Sequence, residues 1–418
     1  MNAVTALVMA TEAEALSLLT AEAVRGRAEM MLAAGLRDAL AHFRIDLERM
    51  DDVTAAVLAT IDKAYPSLKI PFHARWRHFV IGGADRWAEI ADRVSWPHPA
   101  TRARAEFDLA ITSVLLDAGA GPAWRYRDER SGNAIGRSEG LAIASLDMFA
   151  SGAFSGDSRD PLRGDADRLA ELSVAALEQG FQVSAMNPLV GLAGRAELLR
   201  RLGAHVAARQ DVFATRDAAR PGGLFDHLAA RANNGMIAAP TILSEVLRHL
   251  GPIWPSRLEL AGIPLGDCWR HGAIRTNDAT DGLMPLHKLS QWLTYSLIEP
   301  LQRASLTVTD IDGLTGLAEY RNGGLFVDLG VLVLRDARDA DRAHEVDSTL
   351  VVEWRALTVV LLDLLADKIR ARLGRSAAEL PLASLLEGGS WAAGRAAAFA
   401  RRPDGAPPIK VISDGTVF

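Results

Sequence analysis

Apolar positions that recur at intervals of three and four constrain this chain more than any other feature. A segment patterned this way buries one continuous face only as a helix. Residues 4–43 carry the pattern in a stretch rich in Ala, Leu, Glu and Arg. It returns at 53–63, 102–118, 165–180, 188–207, 241–250, 285–303, 348–373 and 391–401. Asn187 and Pro188 read as a helix start, with Asn as cap and Pro at the first helical position. Gly180 and Gly203 read as helix stops. Strand signals are few: 79–81, Phe326-Val327 and 409–411 are the best. The expected fold is mainly α, one large multi-helical domain over 1–418 with a few short β-strands. If it divides, the loop SGDSRDPLRG at 155–164 would join lobes 1–154 and 165–418. The tail SDGTVF has a turn signal at Asp414-Gly415 and is expected to dock on the body.

The chain has 418 residues, 49% of them apolar, which is ample for a large core. A net charge of −6 argues against a broad nucleic-acid surface. The single cysteine, Cys268, excludes an internal disulfide and a cysteine-rich zinc site. The first residues, MNAVTALVMATEAEAL, lack a basic region, and Glu12 and Glu14 break the apolar run, so no signal peptide is expected. No run of about 18 uncharged apolar residues predicts a membrane span. These features together predict a soluble cytoplasmic protein.

Against that apolar background, the placement of charge matters. The stretch GLTGLAEYRNGGLFVDLGVL, 313–332, sets Glu319, Tyr320 and Arg321 side by side inside a core-like segment. An unpaired buried charge costs several kcal/mol, so these groups either pair with one another or face a cavity. The helix STLVVEWRALTVVLLDLL, 348–365, poses the same question with Glu353 and Arg355, for which a buried structural pair is the default. In MPLHKLSQWLTYSLIEPL, 284–301, the fourfold spacing puts His287, Gln291 and Tyr295 on one helix face. Lys288 is one turn from Gln291, and it either snorkels to solvent or reaches a ligand.

PFHARWRHFVIGGADRW, 71–87, gathers His73, Arg75, Trp76, Arg77, His78, Asp85, Arg86 and Trp87. Such a cluster suits an anion and a flat base, or else an Arg/Trp patch that stabilises a packing contact. The spacing of His73 and His78 is not that of a helical zinc motif, and no metal is expected. GAGPAW, 119–124, fails as a dinucleotide loop: Trp124 stands where the third glycine belongs. It reads as a helix stop and turn.

The segments FHARWRHF, EWRALTVVLLD, GSWAAGR (389–395) and SDGTVF together identify a resemblance over nearly the whole chain. It is to the uracil-catabolism protein four, or Urg-three, family of unknown function. A more distant likeness is to queuosine-nucleotide N-glycosylases, whose fold is similar to helical DNA glycosylases. Their ordered signatures are similar to HKLSQWL with Lys288 and Gln291, LTGLAEYR at 314–321, and EWRALTVVLLD with Glu353, Arg355 and Asp363. The chain departs from them at Glu319, where that family has Asp, at Leu317, where it has an aromatic residue, and in lacking a Pro after Tyr-Arg.

This second resemblance implies that Glu319 is a catalytic carboxylate acting on a ribose C–N bond. Such a group stabilises an oxocarbenium-like centre and takes a proton from water. Lys288 is then implied for a 5′-phosphate, Gln291 for sugar or phosphate, and Arg321 for an acid that orients the site. Tyr320, Glu353 and Arg355 complete the implied substrate site, together with Trp76, Arg77 and His78 of the aromatic-cationic cluster. Trp76 or Trp292 would wall the base or urea moiety.

The expected activity is an N-ribosyl hydrolase of uracil catabolism, acting on ribosylurea, its 5′-phosphate or a related small-molecule nucleotide, with no cofactor and no metal. Uracil phosphoribosyltransferase is the alternative. Its usual loop of paired acids followed by hydroxyl residues is matched poorly by SVLLDAGAGPAW, 113–124. A nucleotide-binding pathway protein without catalysis is the third reading.

Overall fold

The computed structural model describes residues 10–117, 119–254 and 258–412. Helices dominate, and the described strands are two or three residues long and pair only in twos. The fold is mainly α, as the periodicity requires. No helix among the described residues is long and apolar enough to cross a membrane.

Contacts divide the chain into two compact units. One comprises 10–72, 258–288 and 311–412; the other comprises 73–254 and 289–310. This division differs from the expected lobes. The loop 155–164 lies inside the second unit, where buried Asp108 accepts the Gly164 N–H at 3.0 Å and the Arg220 Nε–H at 2.7 Å. Arg163 pairs there with Asp165 and Asp217, both at 2.6 Å. A loop held by this many charge-assisted bonds is not a hinge between lobes.

The first unit is organised by the helix Thr349–Leu373. It starts where the Ser348 side chain accepts the Val351 N–H, and it ends at Gly374 in the left-handed region, φ 62°. It is buried continuously from Leu350 to Leu362, because Ala21–Leu36, Met50–Ala64 and Tyr320–Asp328 pack around it. Trp391–Arg401 crosses Tyr320–Asp328 at Gly394, where a Cβ would stand 2.2 Å from the Arg321 carbonyl oxygen. The preceding π-helical turn, Leu386–Ser390, brings Gly389 against Val57, where a Cβ would stand 2.5 Å from that side chain. The small residues of GSWAAGR are thus contact points between backbones. The second unit is built on Pro99–Leu115, buried from Ala105 onward and packed against Arg137–Ala150 and Gly223–Arg231.

Several local expectations are corrected. Phe326 and Val327 lie within the helix Tyr320–Asp328, not in a strand, because Glu319 caps that helix. Asn187 does not start a helix. Its side chain bonds Arg125 N and O, and the helix Leu192–Ala208 begins five residues later. Gly203 lies inside that helix; a Cβ there would stand 2.3 Å from Ala170 N, so the glycine permits a close helix crossing. The pattern at 165–180 is two short helices, Ala166–Ala170 and Val174–Gly180. The tail SDGTVF lies outside the described residues.

Candidate functional site

The segment 314–319 is buried yet is neither helix nor strand, so its backbone must be satisfied by other groups. Side chains of the first unit do this. Arg25 donates to the Leu314 carbonyl at 2.7 Å while pairing with Asp363 at 2.8 Å. Burial pushes the Asp363 carboxyl up, against the pull of Arg25. Arg370 grips Asp312 through both carboxylate oxygens, at 2.7 and 2.8 Å. Arg355 Nε donates to the Ala318 carbonyl at 3.2 Å. Asn322 closes the far end, donating to the Leu317 carbonyl and accepting from Ser390 at 2.8 Å.

Glu319 emerges from this scaffold as the N-cap of Tyr320–Asp328. Its two oxygens accept the Arg321 N–H at 2.7 Å and the Asn322 N–H at 2.5 Å. Negative charge at a helix start satisfies two otherwise unpaired donors and suits the helix dipole. The side chain is therefore fixed in one orientation and is 8% exposed. Tyr320 is half-buried, and the Arg321 guanidinium lies 4.9 Å from the centre of its ring. Among the described residues the Arg321 guanidinium bonds a carbonyl: Nη1 donates to Gly405 at 2.8 Å.

Asp267, which the sequence reading missed, is the centre of the network. Arg355 holds both its oxygens, at 2.8 and 2.7 Å, the Trp269 indole donates at 2.7 Å, and the Lys288 N–H donates at 3.0 Å. Burial raises this carboxyl, but Arg355 and the two N–H donors outweigh it and hold the group down at about 2. One carboxylate thereby ties the start of the Lys288 helix to Arg355, and Arg355 in turn holds the residue preceding Glu319. Nothing in the local pattern around Asp267 marks it, because its partner is 88 residues away.

Arg355 is 1% exposed and acts as an anchor within the protein. Glu353 is also held within the scaffold. Its oxygens accept the Ala41 and His42 N–H groups at 3.0 Å each, and His271 lies 3.4 Å away. His287 does not share the helix face with Gln291, since the helix is Lys288–Arg303. It stands just before the helix at φ 47° and donates Nε2–H to the Leu18 carbonyl at 2.9 Å. Burial lowers its proton affinity. Lys288 is half-buried, and Gln291 is fully buried.

In the second unit, the 71–87 cluster is largely core. Arg75–Phe79 is a 3-10 turn. Trp76 is 3% exposed, donates to the Ser296 carbonyl at 2.7 Å, and packs against Phe79, Trp87 and Arg303. It walls no ligand. Arg77 pairs with Glu299 at 2.8 Å. Arg75, fully buried, donates to Ser113 at 2.7 Å, pairs with Asp117 at 3.1 Å, and lies 5.6 Å from the Trp292 ring centre. Half-buried His78 sits 5.5 Å from the same ring. The polar residues of this cluster that reach solvent are half-buried Arg77 and His78 and exposed Asp85.

Fold and site together define a mainly helical protein in which long-range buried ion pairs fix one carboxylate at a helix start. The chain belongs to the family described as protein of unknown function (DUF1688), whose model matches residues 17–418. Among its relatives is Protein urg3 of Schizosaccharomyces pombe, 38% identical over 425 residues, covering 98% of this chain and all of that one. Uracil catabolism protein 4 of Lachancea kluyveri is 38% identical over 409 residues, covering 90% of this chain and 92% of that protein. The family read from FHARWRHF, EWRALTVVLLD and GSWAAGR is therefore the family to which the chain belongs.

Proposed function

We propose that this protein acts in uracil catabolism as an N-ribosyl hydrolase, with Glu319 as the carboxylate that faces the anomeric carbon. The observation that carries this reading is the shared anchoring through Asp267. It links Lys288 and the Glu319 cap, two groups far apart in sequence, to a single buried pair. The name of the Lachancea kluyveri relative supports the pathway.

In the reaction, water adds to the anomeric carbon as the C–N bond breaks. The water's hydroxyl bonds the carbon and its proton goes to Glu319; the departing nitrogen takes a proton from solvent to leave as urea or free base, and Glu319 releases its own proton to solvent, which restores the carboxylate. A carboxylate already oriented by two amides needs no reorganisation when positive charge develops on the sugar. Lys288 is assigned to a 5′-phosphate as a point charge.

The test is to incubate the pure protein with ribosylurea, its 5′-phosphate and UMP and to follow reducing sugar. Glu319→Gln should lower the rate roughly 100- to 10,000-fold, the usual range for a general base. Absence of sugar release from all three, or an unimpaired Glu319→Gln, would refute the proposal. The second reading, nucleotide binding without turnover, is favoured by the role of Glu319 as a helix cap, in which its two oxygens accept the Arg321 and Asn322 N–H groups and no chemistry is needed. UMP binding without sugar release would select it. Dependence on phosphoribosyl pyrophosphate and Mg²⁺ would instead select the transferase.

A further inference from the structure

The strongest cluster outside that site lies in the second unit, on helices Gly223–Arg231 and Ala239–Leu250. One ring nitrogen each from His227 and His249 and one Glu245 oxygen lie within 4.8 Å of one another. Their side chains are 9%, 9% and 7% exposed. His227 Nε2 is 2.5 Å and His249 Nε2 is 3.2 Å from the same carboxylate oxygen.

These are the ligand types of a divalent-metal site, but the far side of each ring argues against one. A metal-bound imidazole gives the lone pair of one nitrogen and carries its proton on the other, where an acceptor normally receives it. Here His227 Nδ1 faces Arg231 Nη1 at 3.3 Å, and His249 Nδ1 faces Arg209 Nη2 at 3.3 Å. A guanidinium only donates. Each Nδ1 is therefore an acceptor, and each Nε2 carries the proton that it donates to Glu245. Neither ring has an inward lone pair left for a metal.

We propose that the chain Arg209–His249–Glu245–His227–Arg231 is an acid-sensitive latch, tying the two helices to each other and to the turn at Arg209. Protonating either imidazole puts a hydrogen on Nδ1, pointing at a guanidinium. That outer bond breaks, and two cations are left facing each other. The surroundings add to the effect. Arg231 Nε is 3.0 Å from the shared Glu245 oxygen, and Arg248 is 3.9 Å from the other oxygen. Arg209 is held by Asp211 through two bonds of 2.8 Å, and His205 donates to the His249 carbonyl at 2.8 Å. Three arginines thus already face the two acids Glu245 and Asp211 before any ring is charged.

Burial lowers the proton affinity of His205 and His227 in the folded protein. The His227 ring stays neutral when latched, while the opened ring takes a proton below about pH 6.5. The latch is intact above that pH. Below it, opening becomes up to about tenfold more frequent per pH unit through His227.

Histidine ¹⁵N NMR and hydrogen exchange of the full chain test this. The expected result is the neutral Nε2–H form of both rings at about pH 7.5, and amides of 223–250 that open at least about tenfold more often at about pH 5.5, after correction for intrinsic exchange. His227→Gln and His249→Gln each keep an N–H donor for Glu245, and His227→Gln, which removes the titrating ring, should flatten that pH dependence. If the variants do not fold, the wild-type spectra decide. An Nδ1–H form in either ring overturns the latch. So does equal opening at both pH values, or uptake of one zinc per chain that Glu245→Gln abolishes.

Discussion

Replacing Arg355 with Met tests whether the Asp267 pair is the anchor of the candidate site. The pair is bidentate at 2.8 and 2.7 Å, with side chains 1% and 8% exposed. Removing one partner leaves Asp267 buried beside only two N–H donors, and breaking such a pair costs roughly 3–5 kcal/mol. The carboxyl itself gives a second figure. A group held at about 2 instead of 3.8 contributes roughly 2.5 kcal/mol at pH 7. Because the folded value is the lower one, this contribution is complete above about pH 3.8 and disappears as pH falls through about 2. Urea unfolding followed by tryptophan fluorescence at pH 7 should show Arg355→Met and Asp267→Asn each losing several kcal/mol. The double variant Arg355→Met/Asp267→Asn should lose much less than the sum of the two singles, since it leaves no buried charge. Wild-type stability should also fall on acidification in the window between the two values, and in Asp267→Asn that part of the fall should vanish. Single losses below about 1 kcal/mol, or a double loss equal to the sum of the singles, would refute the anchoring argument.

Glu319→Asp should keep the helix cap while withdrawing the carboxylate by one methylene. It should cost little stability but lower sugar release, whereas Glu319→Gln should also lose about 0.5–2 kcal/mol by urea titration. Glu353→Gln should destabilise by about 1.5–3 kcal/mol, because the Ala41 and His42 amides lose a charged acceptor. Gly394→Ala should cost at least about 1–3 kcal/mol, since its Cβ would meet a carbonyl oxygen at 2.2 Å. Gly26→Ala, in the helix Ala21–Leu36 with nothing within 4 Å, should instead gain about 0.5–1 kcal/mol by the same titration.

Much of the fold follows from local pattern. The helices Met50–Ala64, Pro99–Leu115, Ala239–Leu250, Thr349–Leu373 and Trp391–Arg401 each match a run of threefold and fourfold apolar spacing, because a helix is a local structure whose buried face is written in its own residues. The family was legible too, in the motifs themselves. Motif reading also singled out Glu319, Glu353 and Arg355 as charges in apolar surroundings. What sequence alone left open was what those charges do. Glu353 proved to hold the 41–42 backbone, Arg355 to grip Asp267, and Glu319 to cap a helix. Gly203, a helix stop by propensity, became a crossing point because the helix Ala166–Ala170 lies against it. Partnership between a charge and a group some 88 residues away leaves no periodic trace in either segment. Only the packed chain brings the two together, and desolvation there makes the pairing decisive.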